Sequence, residues 1–136
     1  MKEITAIIRQ NKINQTKSAL IDAGFPAATA VRALGRGRRP VEPEVLEAIN
    51  QNPRDSADVL PTIAHGGRFF PKRIITMVVP DERVSDLIGA IIKVNQTGSP
   101  GDGKIFVLPV HDTIRVRTGE TGESAVDEMN GSGRSA

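Results

Sequence analysis

Residues 72–110 read KRIITMVVPDERVSDLIGAIIKVNQTGSPGDGKIFVLPV, a strand, a helix and a strand in that order. Residues 74–79 are apolar and rich in β-branched side chains, Pro80 stops the run, and Asp81 stands where it could cap the next element. Val84, Leu87, Ile88, Ile91 and Ile92 then recur at the spacing of one helical face. The stretch 97–103 is rich in glycine and ends the helix. Residues 105–110 form a strong strand, and a short further strand is expected over 113–116.

The same order occurs at the start of the chain. Residues 2–9 alternate, with Ile4, Ala6 and Ile8 on one face and Thr5, Ile7 and Arg9 on the other, which is the pattern of a strand. Ile13, Thr16, Ala19, Leu20 and Ala23 give residues 11–23 a helical period, and Gly24 is a natural end. Residues 27–34, small and β-branched, read as a second strand. Ile4, Ile7 and Ile8 correspond to Ile75, Val78 and Val79, so the halves repeat. Two tandem βαβ units predict an α+β, ferredoxin-like sandwich of four strands backed by two helices. Ile7 and Val78 fall on the face without helices, so a further layer, supplied by other subunits, is needed to cover it.

The chain of 136 residues suits one domain, expected over residues 1–126. Residues 127–136, rich in Gly, Ser and charge, read as a disordered tail. Between the halves lies an insert, roughly 36–71, punctuated by Pro40, Pro43, Pro53, Pro61, Pro71 and Gly66-Gly67. Residues 44–50 could form a short helix within it, with Pro43 in the first turn. A structureless insert of this length is rare in a compact domain and usually functional or disordered.

Composition narrows the function. There is no cysteine, hence no disulfide, thiolate site or cysteine nucleophile. His65 and His111 lie far apart without a ligand pattern, and no metal site is expected. No apolar run reaches the ~18 residues of a membrane span, and the start does not resemble a signal peptide, which predicts a cytoplasmic protein with no membrane insertion. A net charge of +2, with no Trp or Tyr and four Phe, argues against a nucleic-acid partner, which would need aromatic platforms.

Three stretches suit a polyphosphate. Thr97-Gly98-Ser99-Pro100-Gly101-Asp102-Gly103-Lys104 offers backbone amides and a lysine. It satisfies G-x-x-x-x-G-K, but Ile105 follows where a P-loop has Ser or Thr, and here a helix leads into a strand rather than the reverse. A glycine-rich turn with an exposed lysine is the plainer reading. Gly35-Arg36-Gly37-Arg38-Arg39 and Arg115-Val116-Arg117 add cations, each also readable as a solvated surface.

Thr97-Gly98, Gly101-Asp102-Gly103-Lys104-Ile105-Phe106-Val107 and Arg115-Val116-Arg117-Thr118-Gly119-Glu120 together resemble the C-terminal signature of PII nitrogen regulatory proteins. Residues 1–4, Ile7-Ile8-Arg9, Gly35-x-Gly37 and Val78-Val79-Pro80-Asp81 extend the resemblance over nearly the whole chain. It implies a trimer, with ATP or ADP bound between subunits and magnesium accompanying ATP. Ile7, Thr29 and Val78 would line the adenine. Gly35, Gly37 and Arg38 would come from the base of the long loop, and Gly101, Asp102, Gly103 and Lys104 from the glycine-rich loop. Arg115 and Arg117 would reach the phosphates. Lys72 and Arg9 would meet 2-oxoglutarate, the effector.

Two departures stand out. The family's modified tyrosine is absent, which excludes uridylylation. Arg39 stands where the family has a metal-ligating glutamine, and a guanidinium has no lone pair for a cation. Arg39 could instead neutralise ligand charge. The long insert, Ile13-Asn14-Gln15-Thr16 and Gly66-Gly67-Arg68 resemble the nitrogenase-associated subclass, which implies a regulator of dinitrogenase working as a homotrimer or with a paralogue. Regulators of an ammonium transporter or of glutamine synthetase are the alternatives within the family, and a nucleotide-hydrolysing enzyme the alternative outside it. No general base beside a nucleophile is evident, so no catalytic residue is assigned.

Overall fold

The computed structural model describes residues 1–37 and 69–126. Its strands are β1 (Lys2–Arg9), β2 (Thr29–Gly35), β3 (Phe70–Val79) and β4 (Lys104–Pro109). Helix α1 spans Ile13–Asp22 and α2 spans Val84–Asn95, each entered through a 3-10 turn, Gln10–Lys12 and Asp81–Arg83. The sheet order is β2-β3-β1-β4. Every neighbouring pair is antiparallel. Two βαβ units with their strands interleaved give the ferredoxin-like α+β fold that the repeat predicts.

Alternation along β1 sends Ile4, Ala6 and Ile8 to the helix side. They bury there with Ile75, Met77 and Val79 of β3, Leu20 and Phe25 from the first half, and Leu87 and Ile91 of α2. Burying each of the large aliphatic side chains contributes roughly 1.5–3 kcal/mol. Two polar side chains in this layer meet across the helices: the Asn95 Nδ2 donates to Thr16 Oγ1 at 3.0 Å, and that hydroxyl donates to the Lys12 carbonyl at 2.7 Å. Gly24 ends α1 at φ +88°. Its amide donates to the Ile21 carbonyl, and the Phe25 amide donates to that of Leu20. This is the double bond of a Schellman cap, and it drops Phe25 into the core.

Several expectations change. β3 starts four residues before the apolar run, because Phe70 and Pro71 pair with Gly35 and Leu34. β1 ends opposite Lys72, so Pro71 has a strand neighbour, Leu34, on one side only. Asp81 does not cap a helix. Its carboxylate takes the Met1 ammonium at 2.9 Å, with Lys2 nearby, and that ammonium holds it below the ordinary aspartate range. In place of a strand over 113–116 there is a single bridge, Ile114 to Thr121. Most of the insert, with the expected helix at 44–50, and the tail from residue 127 lie outside the described residues. Among the described residues no helix is long and apolar enough to cross a membrane.

Among the described residues no helix covers the other face of the sheet. Register aligns Thr29, Thr76, Thr5 and Phe106 in one row across it, and Val31, Ile74, Ile7 and Lys104 in the next. Val31, Phe106 and Leu108 are each 40 to 50 % exposed on this face, which is the open layer that Ile7 and Val78 pointed to.

Candidate functional site

The glycine-rich loop leaves α2 at Asn95 and enters β4 at Lys104. Gly98, Gly101 and Gly103 have φ of +86°, +102° and +109°, which L side chains rarely adopt. At Gly103 the constraint is also steric, since a Cβ there would lie 1.8 Å from the Ile7 carbonyl oxygen. The loop therefore rests on the backbone of β1 beside Ile7, the residue paired with Lys104.

Asp102 organises the loop's interior. Its Oδ2 accepts from the Thr97 amide at 2.7 Å and the Gly98 amide at 3.0 Å, and its Oδ1 accepts from the Thr97 hydroxyl at 2.5 Å. Arg9 closes the set with a charged hydrogen bond to the same carboxylate. The Thr97 hydroxyl and amide, followed by Arg9 and the Gly98 amide, hold the Asp102 carboxyl well below the usual carboxylate range. A second cation approaches from β3: Lys72 Nζ donates to the Gly101 carbonyl at 3.0 Å. Its stem crosses Gly35, where a Cβ would stand 3.2 Å from Lys72 Cγ. On the helix side, a cavity of about 450 Å³ has Ile88, Ile92 and Val107 among its walls and Asp102, Gly103 and Lys104 at the loop.

One end of the sheet thus gathers Ile7, Arg9, Gly35, Lys72, Gly101, Asp102, Gly103 and Lys104. Thr29 and Val78 face the same open side but lie further along, aligned with Thr5 and Glu3 of β1. At ~3.3 Å per residue, Glu3 is about 13 Å from Ile7. Gly37 closes the first described segment, and Arg38 and Arg39 lie outside the described residues. The base of the insert is joined by Arg36, whose guanidinium stands 5.4 Å from the Phe69 ring centroid.

Arg115 and Arg117 do not join this cluster within one chain. β4 runs from Lys104, opposite Ile7, to Pro109, opposite Lys2, and the Val110 amide donates to the Met1 carbonyl. The arginines lie beyond that far end. Arg115 folds back on its own segment, with NH1 3.1 Å from Glu120 Oε2 and NH2 donating to the Ser124 carbonyl at 2.9 Å. A turn carries Val116, 99 % exposed, and Arg117 to the tip of this arm.

Sequence reasoning placed Thr97 in the glycine-rich stretch without giving it a role, missed Phe69, and did not connect Arg9 with Asp102. The alternation that puts Arg9 on Ile7's face was visible, but the partner stands 93 residues away. Chemically, the cluster sets backbone and cations about a glycine-rich loop, an arrangement suited to holding an anion.

A family profile described as nitrogen regulatory protein P-II matches residues 1–120. The chain is 49 % identical over 128 residues to nitrogen fixation nifHD region GlnB-like protein 2 of Methanobacterium ivanovii, covering 93 % of this chain and 99 % of the relative. It is 39 % identical over 126 residues to a nitrogen regulatory protein P-II of Rhodobacter capsulatus, covering 93 % of this chain and all of that one. Among solved structures, a PII protein of Arabidopsis thaliana bound to citrate is similar at a TM-score of 0.66 and 33 % identity, over 93 % of this chain and 89 % of the other.

Proposed function

This chain belongs to the nitrogen regulatory protein P-II family, and from that premise we propose that it is a cytoplasmic nitrogen-signalling subunit that binds ATP or ADP between copies of itself and controls dinitrogenase through the insert between β2 and β3. It regulates; it is not assigned a reaction. Relatives named for the nifHD region support a target in nitrogen fixation.

The observation that carries the reading is the division of the proposed phosphate-binding residues between two ends of the sheet. Gly101, Gly103 and Lys104 stand at the Ile7 end, while Arg115 and Arg117 stand beyond the Met1 end. A nucleotide that meets both sets needs two chains. The open face with Val31, Phe106 and Leu108, and the arm with Ile114 63 % and Val116 99 % exposed, support contact with neighbouring copies in a trimer. Gly35, Gly37 and Arg38, at the base of the insert, join the nucleotide site to the segment that meets the target. Ile7, Thr29 and Val78 line the adenine in this reading.

Magnesium arrives with ATP, and 2-oxoglutarate is the proposed effector, with Lys72 as a contact for its carboxylate. The solved PII neighbour carries citrate, also a polycarboxylate, which supports that chemistry for the site. Nucleotide and effector shift the insert between shapes through their different affinities for each. A coupling of ~1–3 kcal/mol changes partner affinity about five- to 150-fold.

Complementation tests the composite site. Lys104→Ala and Arg117→Ala chains each lose most ATP binding alone. Co-refolded, they regain part of it, because some interfaces then pair two intact halves. No recovery in mixed oligomers would overturn the shared site. A chain deleted from 40 to 68, which leaves Arg38 and Arg39 in place, keeps ATP binding and loses inhibition of dinitrogenase.

A further inference from the structure

Arg9 stands on the open face of β1, directly opposite Lys72 of β3. Two cations in adjacent register repel unless each faces an acceptor, and here both turn to the glycine-rich loop. Arg9 NH1 bonds the Asp102 carboxylate and lies 3.5 Å from Thr97 Oγ1, while NH2 donates to the Pro100 carbonyl at 3.0 Å. Its side chain is 23 % exposed. Asp102 passes the constraint on to the Thr97 and Gly98 amides. One side chain of β1 therefore reaches the start of the loop through the carboxylate and its middle through Pro100.

We propose that Arg9 is a positioning residue of the nucleotide site, fixing through Asp102 and the Pro100 carbonyl the loop shape in which residues 101–104 meet phosphate. The inference rests on the reading of that loop as the phosphate cradle, and it gives Arg9 work that needs no carboxylate effector. The physical reason is the loop's composition. Three glycines at positive φ have much conformational freedom to lose, and a loop ordered beforehand does not charge that loss to the ligand. A planar guanidinium can hold two acceptors in fixed directions, which the ammonium of a lysine does less well. Lys72 reaches the same loop at the Gly101 carbonyl.

Two readouts on the full chain test this. In the ligand-free protein, amide hydrogen exchange at Thr97 and Gly98 reports loop order, with the α2 amides as a control for folding. Calorimetry with ATP, free of any carboxylate effector, reports binding. Arg9→Gln is expected to speed exchange at both amides and to weaken ATP binding by about tenfold, the scale of one charged hydrogen bond. Asp102→Asn should do the same, and the double variant should be little worse than either single one, because both act through one linkage. Arg9→Lys should recover only part of both effects. Unchanged exchange in Arg9→Gln overturns the proposal, and so does weakened ATP binding without faster exchange, which would make Arg9 a direct ligand contact. Faster exchange in Arg9→Gln, in a protein whose wild-type form binds no ATP, upholds the positioning and overturns the nucleotide reading instead.

Discussion

Gly103 sits against Ile7 so closely that a Cβ on the glycine would fall 1.8 Å from the Ile7 carbonyl oxygen and 2.9 Å from its carbonyl carbon. Backbone meets backbone there, and neither can move without disturbing the β1–β4 ladder, in which Ile7 pairs with Lys104. The contact ties the glycine-rich loop to an inner strand of the sheet, near that strand's end.

Gly103→Ala should therefore combine two penalties. A side chain at φ +109° costs ~1–2 kcal/mol, and the overlap adds ~1–3 kcal/mol, for a total of about 2–5 kcal/mol. Gly98→Ala shares the positive φ but meets nothing within 4 Å, so it should cost only the first ~1–2 kcal/mol. Chemical denaturation of both variants checks the difference. Equal costs would mean that the close approach to Ile7 does not matter.

Acid should loosen the loop late. Asp102 is held below the ordinary carboxylate range by Thr97, Arg9 and the Gly98 amide, so its folded-state value lies below its unfolded one. Its contribution to stability is then complete above the unfolded value of about 3.9 and fades as pH falls through the lower folded value. Protection of the Thr97 and Gly98 amides, once corrected for intrinsic exchange, should persist below about pH 4, through the range where ordinary carboxylates protonate. Asp102→Asn should remove it throughout. A loop that opens in step with ordinary carboxylates near pH 4 would contradict this assignment.

The uncovered sheet face makes a separate prediction. Phe106 is 47 % exposed and lies in register with Thr5, Thr76 and Thr29. Phe106→Glu places a charge in the layer that the proposed trimer would bury, and it should shift the protein to single chains in sedimentation while leaving its circular dichroism unchanged. Persistence of the oligomer in this variant would show that the face is not an interface.

Much of the fold was legible because its periods are local. Ile4, Ala6 and Ile8 alternate in β1, and Leu87 and Ile91 repeat at four residues in α2, so each element announces its buried side. Gly24 marked a helix end for the same reason, since its positive φ serves a cap formed by its immediate neighbours. What was missed depends on distant partners. Phe70 and Pro71 become strand only because Gly35 and Leu34 pair with them. Asp81 looked like a cap, and instead meets the Met1 ammonium from across the fold. Alternation at Arg115 and Arg117 suggested an edge strand, but Gly119 and Gly122, both at positive φ, turn the chain back, and Arg115 bonds its own segment.

The site divides along the same line. Gly101, Asp102, Gly103 and Lys104 form one short motif and could be read directly. The roles of Arg9 and Lys72 depend on strand register, which sets them opposite each other and beneath the loop. Thr97 stood in the same stretch without an assigned role; its value appears only once the Asp102 carboxylate is seen to gather its hydroxyl and amide.

Nucleotide binding is the claim on which the rest depends, and calorimetry of the purified, nucleotide-free protein with Mg-ATP tests it most directly. The account predicts saturable binding at one nucleotide per chain, lost when Lys104 is replaced by alanine and tightened or left unchanged by 2-oxoglutarate. A folded sample that gives no binding heat at any temperature tried, or one whose binding survives Lys104→Ala intact, would contradict it.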